Sequence, residues 1–165
     1  MNKYFKDCKC IEEVKSIYHK MAIMLHPDKP TGNTEAMQDL NNQYDLAFMK
    51  LKDVHKSIKE GTEPYYTAST PTQEAPQEFR DIINALINLK GIEVEICGRW
   101  LWVTGDTKPL AKTLSAMGCR WCNNKKAWSW HFAEDGCRGR GKKKLDDIRN
   151  VYGSQKFSTG GLLLT

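Results

Sequence analysis

The pattern that most constrains this chain is a pair of apolar stripes separated by a proline. Ile11, Val14, Ile17, Tyr18, Met21, Ala22 and Leu25 recur at three- and four-residue steps, and so do Met37, Leu40, Tyr44, Ala47, Phe48 and Leu51. Each series predicts an amphipathic helix. The first must stop at His26-Pro27, because the residue before a proline is pushed out of the helical region. Pro30-Thr31-Gly32-Asn33 has turn chemistry, and Thr34 is the expected N-cap of the second helix. Two such helices joined by a loop of about eight residues bury their stripes only by packing antiparallel.

The pattern changes after Glu60. The stretch EGTEPYYTASTPTQEAPQ has prolines and Thr/Ser but no periodicity, so residues 60–77 are expected to be a linker. Phe79, Ile82, Ile83, Leu86, Ile87 and Leu89 then predict a third helix ended by Gly91. Ile92 to Ile96 alternates as a strand does, and Cys97-Gly98-Arg99 would turn it into a second strand from Trp100 to Val103. Asp106 or Thr107 can cap a further helix carrying Leu110, Leu114 and Met117, with Gly118 at its end. Short strands near Cys119–Cys122 and Ala127–Phe132 follow, joined by Asn123-Asn124-Lys125-Lys126. A last helix is expected from about Lys143 to Tyr152. Two units of helix, glycine, strand, turn and Trp-x-Trp strand form a weak internal repeat. Its hairpins would pair into one antiparallel sheet.

The first module resembles the J-domain family. The residues that carry the likeness are Tyr4-Phe5, Tyr18-His19-Lys20-Met21-Ala22, Leu25-His26-Pro27-Asp28-Lys29 and Leu40-Asn41-Asn42-Gln43-Tyr44-Asp45-Leu46, in family order over about fifty residues. The resemblance implies a co-chaperone whose first long helix and His-Pro-Asp loop dock on the nucleotide-binding domain of a DnaK-type ATPase and stimulate ATP hydrolysis there. Carried over, Lys15, His19 and Lys20 would supply electrostatic contacts and on-rate, and Lys29, directly after the tripeptide, would join the chaperone-binding residues. Pro27 would fix the backbone, Asp28 would pair with a partner arginine, and His26 would hold the loop and contact the partner. No chemistry would occur on this chain, so it is not expected to be an enzyme. It would bias a two-state machine by its differential affinity for the two states.

The chain also departs from the family. The helix that should precede Ile11 looks very short. Glu12 and Glu13 suit a helix N-terminus but dilute the basic face. The Gly/Phe-rich stretch and CxxCxGxG modules of full-length DnaJ are missing. The chain looks more like compact viral or mobile-element proteins that attach a J-domain to their own module, as tumour antigens of small DNA viruses do.

In the second module all five tryptophans lie between Trp100 and Trp130 among basic residues. Such interleaving can bind single-stranded nucleic acid by base stacking and phosphate contacts, and it can equally fill a small core and pin cross-strand pairs. Trp121 is the best candidate for an exposed platform, with Arg120, Lys125, Lys126, Arg138 and Arg140 as its basic partners. The run from Leu114 to Trp128 is loosely similar to the HARP modules of DNA-annealing ATPases, which implies DNA or a DNA-associated protein as a ligand. Cys119 and Cys122 form a C-x-x-C that could hold zinc with Cys97, Cys137 or His131. No second close pair accompanies it, and no metal or other cofactor is expected. The basic loop from Gly136 to Lys144 lacks the Gly-Lys-Ser/Thr ending of a phosphate-binding loop. No nucleophile–base pair stands out among the four histidines.

Charge and cysteine usage add context. The net charge of +5 is uneven: residues 1–60 hold ten Lys against nine Asp/Glu, whereas Arg120 to Lys144 holds eight Lys/Arg against Glu134 and Asp135. That segment could attract an acidic partner or remain a solvated loop. Six cysteines without an apolar leader suggest reduced thiols and a cytoplasmic protein. No run approaches the roughly 20 apolar residues of a membrane helix.

The expected class is therefore α + β: an N-terminal all-α J-domain helical hairpin over 1–59, a linker over 60–77, a Trp-rich basic α+β domain over 78–157 built of two helix–hairpin units plus a terminal helix, and a tail over 158–165. The C-terminal module would target a client protein or complex. The alternatives are a nucleic-acid-binding replication or regulatory factor with an attached J-domain, and a repurposed J-like interaction module.

Overall fold

A computed structural model describes residues 3–57, 61, 63–69, 71–97, 100–132, 144–152 and 154–158. Among them are five helices and two antiparallel sheets, a mixed α+β architecture. The chain divides into two compact units, Met1–Asn84 and Ala85–Thr165. Among the described residues no helix is long and apolar enough to cross a membrane.

The first unit is built on α1 (Ile11–Leu25) and α2 (Thr34–Leu51). Their stripes meet in an aromatic core, with Tyr18 and Tyr44 rings 4.4 Å apart and Phe48 and Phe5 at 5.8 and 6.1 Å from Tyr44. Each fully buried large apolar side chain contributes roughly 1.5–3 kcal/mol. The segment before α1 forms bends and a turn rather than a helix. It is tied to α2 where the backbone N–H groups of Lys3 and Tyr4 donate to Gln43 Oε1 at 2.6 and 3.2 Å. The cap of α2 is Asn33 rather than Thr34: its Oδ1 accepts from the Ala36 N–H at 3.1 Å, and Thr34 is already helical.

This unit is not all-α. β1 (Val54–Lys56) pairs antiparallel with β2 (Tyr65–Thr67), which lies inside the stretch expected to be linker. Two tyrosines and a threonine favour extended backbone, but three residues among prolines are too few to show alternation. α3 (Pro76–Ile87) begins with proline at its first position, where no intrahelical N–H is needed. Its Phe79 enters the aromatic core, 6.2 Å from Tyr18 and 6.1 Å from Tyr44. Its last three residues belong to the second unit.

The second unit holds one five-stranded sheet. β3 (Ile92–Cys97) and β4 (Trp100–Gly105) form one hairpin; β5 (Arg120–Cys122) and β6 (Ala127–Trp130) form the other. They join through β4 and β6 in the order β5-β6-β4-β3-β7. α4 (Ala111–Ala116) links the hairpins, and α5 (Leu145–Tyr152) leads into β7 (Gln155–Ser158). β7, which extends into the expected tail, adds an edge beside β3, opposing Val94 with Phe157. Register separates the tryptophans: Trp102 opposes Ser129, whereas Trp128 opposes Val103 and Trp130 opposes Leu101. Trp100 and Trp102 therefore lie on one face, and Trp128 and Trp130 on the other. Leu145 and Ile148 of α5 pack against Cys97, Trp102 and Ala127. Both faces of the sheet carry buried side chains: Val94, Ile96 and Leu101 on one, Glu95, Cys97 and Trp102 on the other.

Candidate functional site

The loop between α1 and α2 is a built turn. α1 ends as His26 leaves helical geometry at ψ 131°, with its N–H still donating to the Ala22 carbonyl at 2.9 Å. The Lys29 N–H donates to the His26 carbonyl at 2.9 Å, and the Gly32 N–H to the Lys29 carbonyl at 2.8 Å. The Asn33 N–H then closes the loop onto the Leu25 carbonyl at 3.1 Å, and Thr31 Oγ1 donates to the Met24 carbonyl at 3.1 Å. These bonds satisfy carbonyls left open by the end of α1.

Gly32 makes this closure possible. A Cβ there would lie 1.9 Å from the His26 carbonyl oxygen and 2.8 Å from Pro27 Cα, so the two backbone segments touch without room for a methyl group. The sequence marks Gly32 only as a turn residue within Pro30-Thr31-Gly32-Asn33. A glycine five residues after the tripeptide's proline was the available signal for this contact.

Within the loop His26 is buried, while Pro27 and Asp28 face solvent. The Asp28 N–H points at His26 Nδ1 from 3.4 Å, and Asp28 Oδ2 is 3.5 Å from the same nitrogen. The Asp28 carboxylate is 70% exposed and carries its charge outward. His26 is thus an anchor, and Asp28 is the presented group. Lys29 is half-buried beside them and Lys20 is exposed on α1.

Two residues expected to complete a basic docking face are not presented. Lys15 Nζ is buried in a bidentate pair with Glu74, 2.7 and 2.8 Å from its two oxygens. It also sits 5.1 Å from the Phe79 ring. His19 is fully buried, and loss of solvation holds its imidazole down at about 3, so it is neutral at pH 7. Lys15 is covered by Glu74 and Phe79, from chain that follows the α1–α2 hairpin and that a helical wheel drawn on α1 alone does not contain. Glu74, which neutralises Lys15, had no signal of its own among the residues 60–77.

In the second unit Trp121 is 47% exposed on the edge strand β5, its ring 5.7 Å from Trp128. The structure does not gather the expected basic groups around it. Arg120 opposes Ser129 and so lies on the other face. Lys125 Nζ is 5.6 Å from the Trp102 ring, also on that face. Lys126 stands in the hairpin turn at φ 52°, with Nζ 3.4 Å from Asn123 Oδ1. Arg138 and Arg140 lie outside the described residues. Cys122 packs against the Cys97–Trp102–Ala127 cluster, while Cys119 is buried and its thiol is pushed up to about 11 by burial. Among the described residues no three His, Cys, Asp or Glu side chains converge as a metal site.

No family model matches the chain, and comparison with curated proteins and with solved structures returns no significant match.

Proposed function

We propose that this protein is a J-domain co-chaperone. In this reading the His26-Pro27-Asp28 loop binds a DnaK-type ATPase, stimulates its hydrolysis of ATP, and leaves the second unit to engage a client. The observation that carries the reading is the loop's construction. A buried His26 and a glycine-tight backbone hold Pro27 and the Asp28 carboxylate outward at the end of a packed helix. A fixed exposed carboxylate is suited to a charge-assisted contact with a partner arginine. Lys20 adds electrostatic attraction.

A co-chaperone acts by preferring one state of its partner. The test is binding of the full chain to a purified DnaK-type ATPase loaded with ATP or with ADP. Binding is expected in ATP and lost in Asp28→Asn. Equal binding in both nucleotides, or full binding by Asp28→Asn, would contradict the reading.

A second reading, single-stranded nucleic-acid binding, is favoured by one observation: the exposed Trp121 ring on a sheet edge within a basic segment. It predicts salt-sensitive quenching of tryptophan fluorescence by an oligonucleotide at about 50 mM salt. Absence of quenching at that salt would sink it.

A further inference from the structure

We propose that residues 72–84 form a built-in cover over α1 and hold back part of the surface that the ATPase would use. The proposal rests on the co-chaperone reading above. Lys15, His19, Ala22 and His26 succeed one another at four, three and four residues, so they form one stripe leading to the exposed Pro27-Asp28. The far end of this stripe is occupied by the chain itself. Glu74 takes both bonds from Lys15, and the two side chains are only 3% and 4% exposed. Phe79 sets its ring 5.1 Å from Lys15 Nζ and, tilted, 6.2 Å from the Tyr18 ring, and Asn84 Nδ2 reaches the Tyr18 hydroxyl at 3.5 Å.

The cover is fastened at both ends. The Thr72 N–H donates to Asp53 Oδ1 at 2.7 Å, and Arg80 pairs with Asp45 of α2 at 2.9 Å. The Glu74 N–H also bonds Thr72 Oγ1, which fixes the carboxylate's approach. Such a cover competes with a partner for the same cation. The protein's apparent affinity for the ATPase is then its open-state affinity multiplied by the fraction of chains that are open. The Pro27-Asp28 tip stays available while the cover is closed, so first contact at the tip and displacement of the cover are separate events.

The experiment uses the full chain, Glu74→Gln and Phe79→Ala, with two readouts. The first is acylation of Lys15 by a small amine-reactive ester, with exposed Lys20 as internal reference, read by mass spectrometry. The second is the concentration giving half-maximal stimulation of a DnaK-type ATPase. In the wild type Lys15 is expected to react about tenfold or more slowly than Lys20, and in the variants nearly as fast; half-maximal stimulation should move to roughly tenfold lower concentration. Thermal melting identifies a variant that fails to fold, and the isosteric Glu74→Gln carries the test if Phe79→Ala does. Lys15 reacting as fast as Lys20 in the wild type would overturn the cover. So would variants that expose Lys15 without improving stimulation while Asp28→Asn still abolishes it; the co-chaperone reading would then stand. Absence of stimulation by every form, or full stimulation by Asp28→Asn, would overturn that reading and the cover's role with it.

Discussion

Lys15 Nζ lies 2.7 Å from one carboxylate oxygen of Glu74 and 2.8 Å from the other, across 59 residues of sequence and with both side chains almost wholly buried. Removing one member leaves an uncompensated charge in the interior, which costs about 3–5 kcal/mol, whereas replacing both by apolar groups of similar volume is often neutral or better. Lys15→Met alone should therefore destabilise the first unit, and Lys15→Met with Glu74→Leu should recover most of the loss. A double-mutant cycle in urea checks this. Additive losses would show that the two groups do not depend on each other.

His19 makes the same unit sensitive to acid. Its imidazole is neutral in the fold down to about 3 because burial removes solvation from the charged form. An unfolded chain takes up that proton near the ordinary value of about 6.5. Between those two values the unfolded state binds more protons, so stability rises with pH and falls on acidification by about 1.4 kcal/mol per unit. His19→Gln should remove that part of the slope between pH 6.5 and about 4. An unchanged slope in the variant would assign the acid sensitivity elsewhere.

Gly32→Ala should be among the most damaging small substitutions in the chain. The three atoms nearest the added methyl group are all backbone, of His26 and Pro27, so a side chain swinging away cannot relieve the clash. The loop must open, with a loss of about 1–3 kcal/mol. Chemical shifts of residues 24–33 should change while those of the 85–130 sheet stay in place. A spectrum unaltered around His26 would contradict the tight closure.

The sheet has its own buried charge. Arg149 of α5 donates to both oxygens of Glu95 at 2.6 and 2.7 Å, and Glu95 is almost fully buried while Arg149 is partly exposed. Burial alone would raise the Glu95 carboxyl, but the bonds from Arg149 and Ser154 and the charges of Arg149 and Lys156 together outweigh that and hold it below the usual range. Its stabilising contribution is therefore present above the ordinary carboxylate range and lost as pH falls through the lowered value. Arg149→Met should destabilise the second unit by about 3 kcal/mol at pH 7 and by clearly less near pH 4, where Glu95 can be neutral. A loss independent of pH would point to packing instead of charge.

The parts of this protein that were legible in sequence are those governed by short-range periodicity. The stripes from Ile11 to Leu25 and from Met37 to Leu51 specify α1 and α2, and the alternation from Ile92 to Ile96 specifies β3. Proline marks the end of α1 for steric reasons that need no partner. What stayed hidden depends on distant chain. Lys15 reads as part of a polar, solvent-facing surface until Glu74 and Phe79 arrive from dozens of residues away. Glu95 likewise reads as the outward residue of an alternating strand, yet α5 covers that face and supplies Arg149. The opposite facing of Trp102 and Trp128 is a matter of register between β4 and β6, which neither strand specifies alone. β7 and β2 are too short and too polar at their flanks to stand out from loop.

The central claim is that Asp28 delivers a signal to a DnaK-type ATPase, and single-turnover ATP hydrolysis tests it most directly. Asp28 is exposed, so Asp28→Asn leaves the fold intact and alters only the presented charge. The account predicts that the wild-type chain accelerates hydrolysis in a concentration-dependent way and that Asp28→Asn reduces the acceleration at least about tenfold, the loss of roughly 1.4 kcal/mol of preference for the hydrolysing state. Equal acceleration by the two proteins would contradict it.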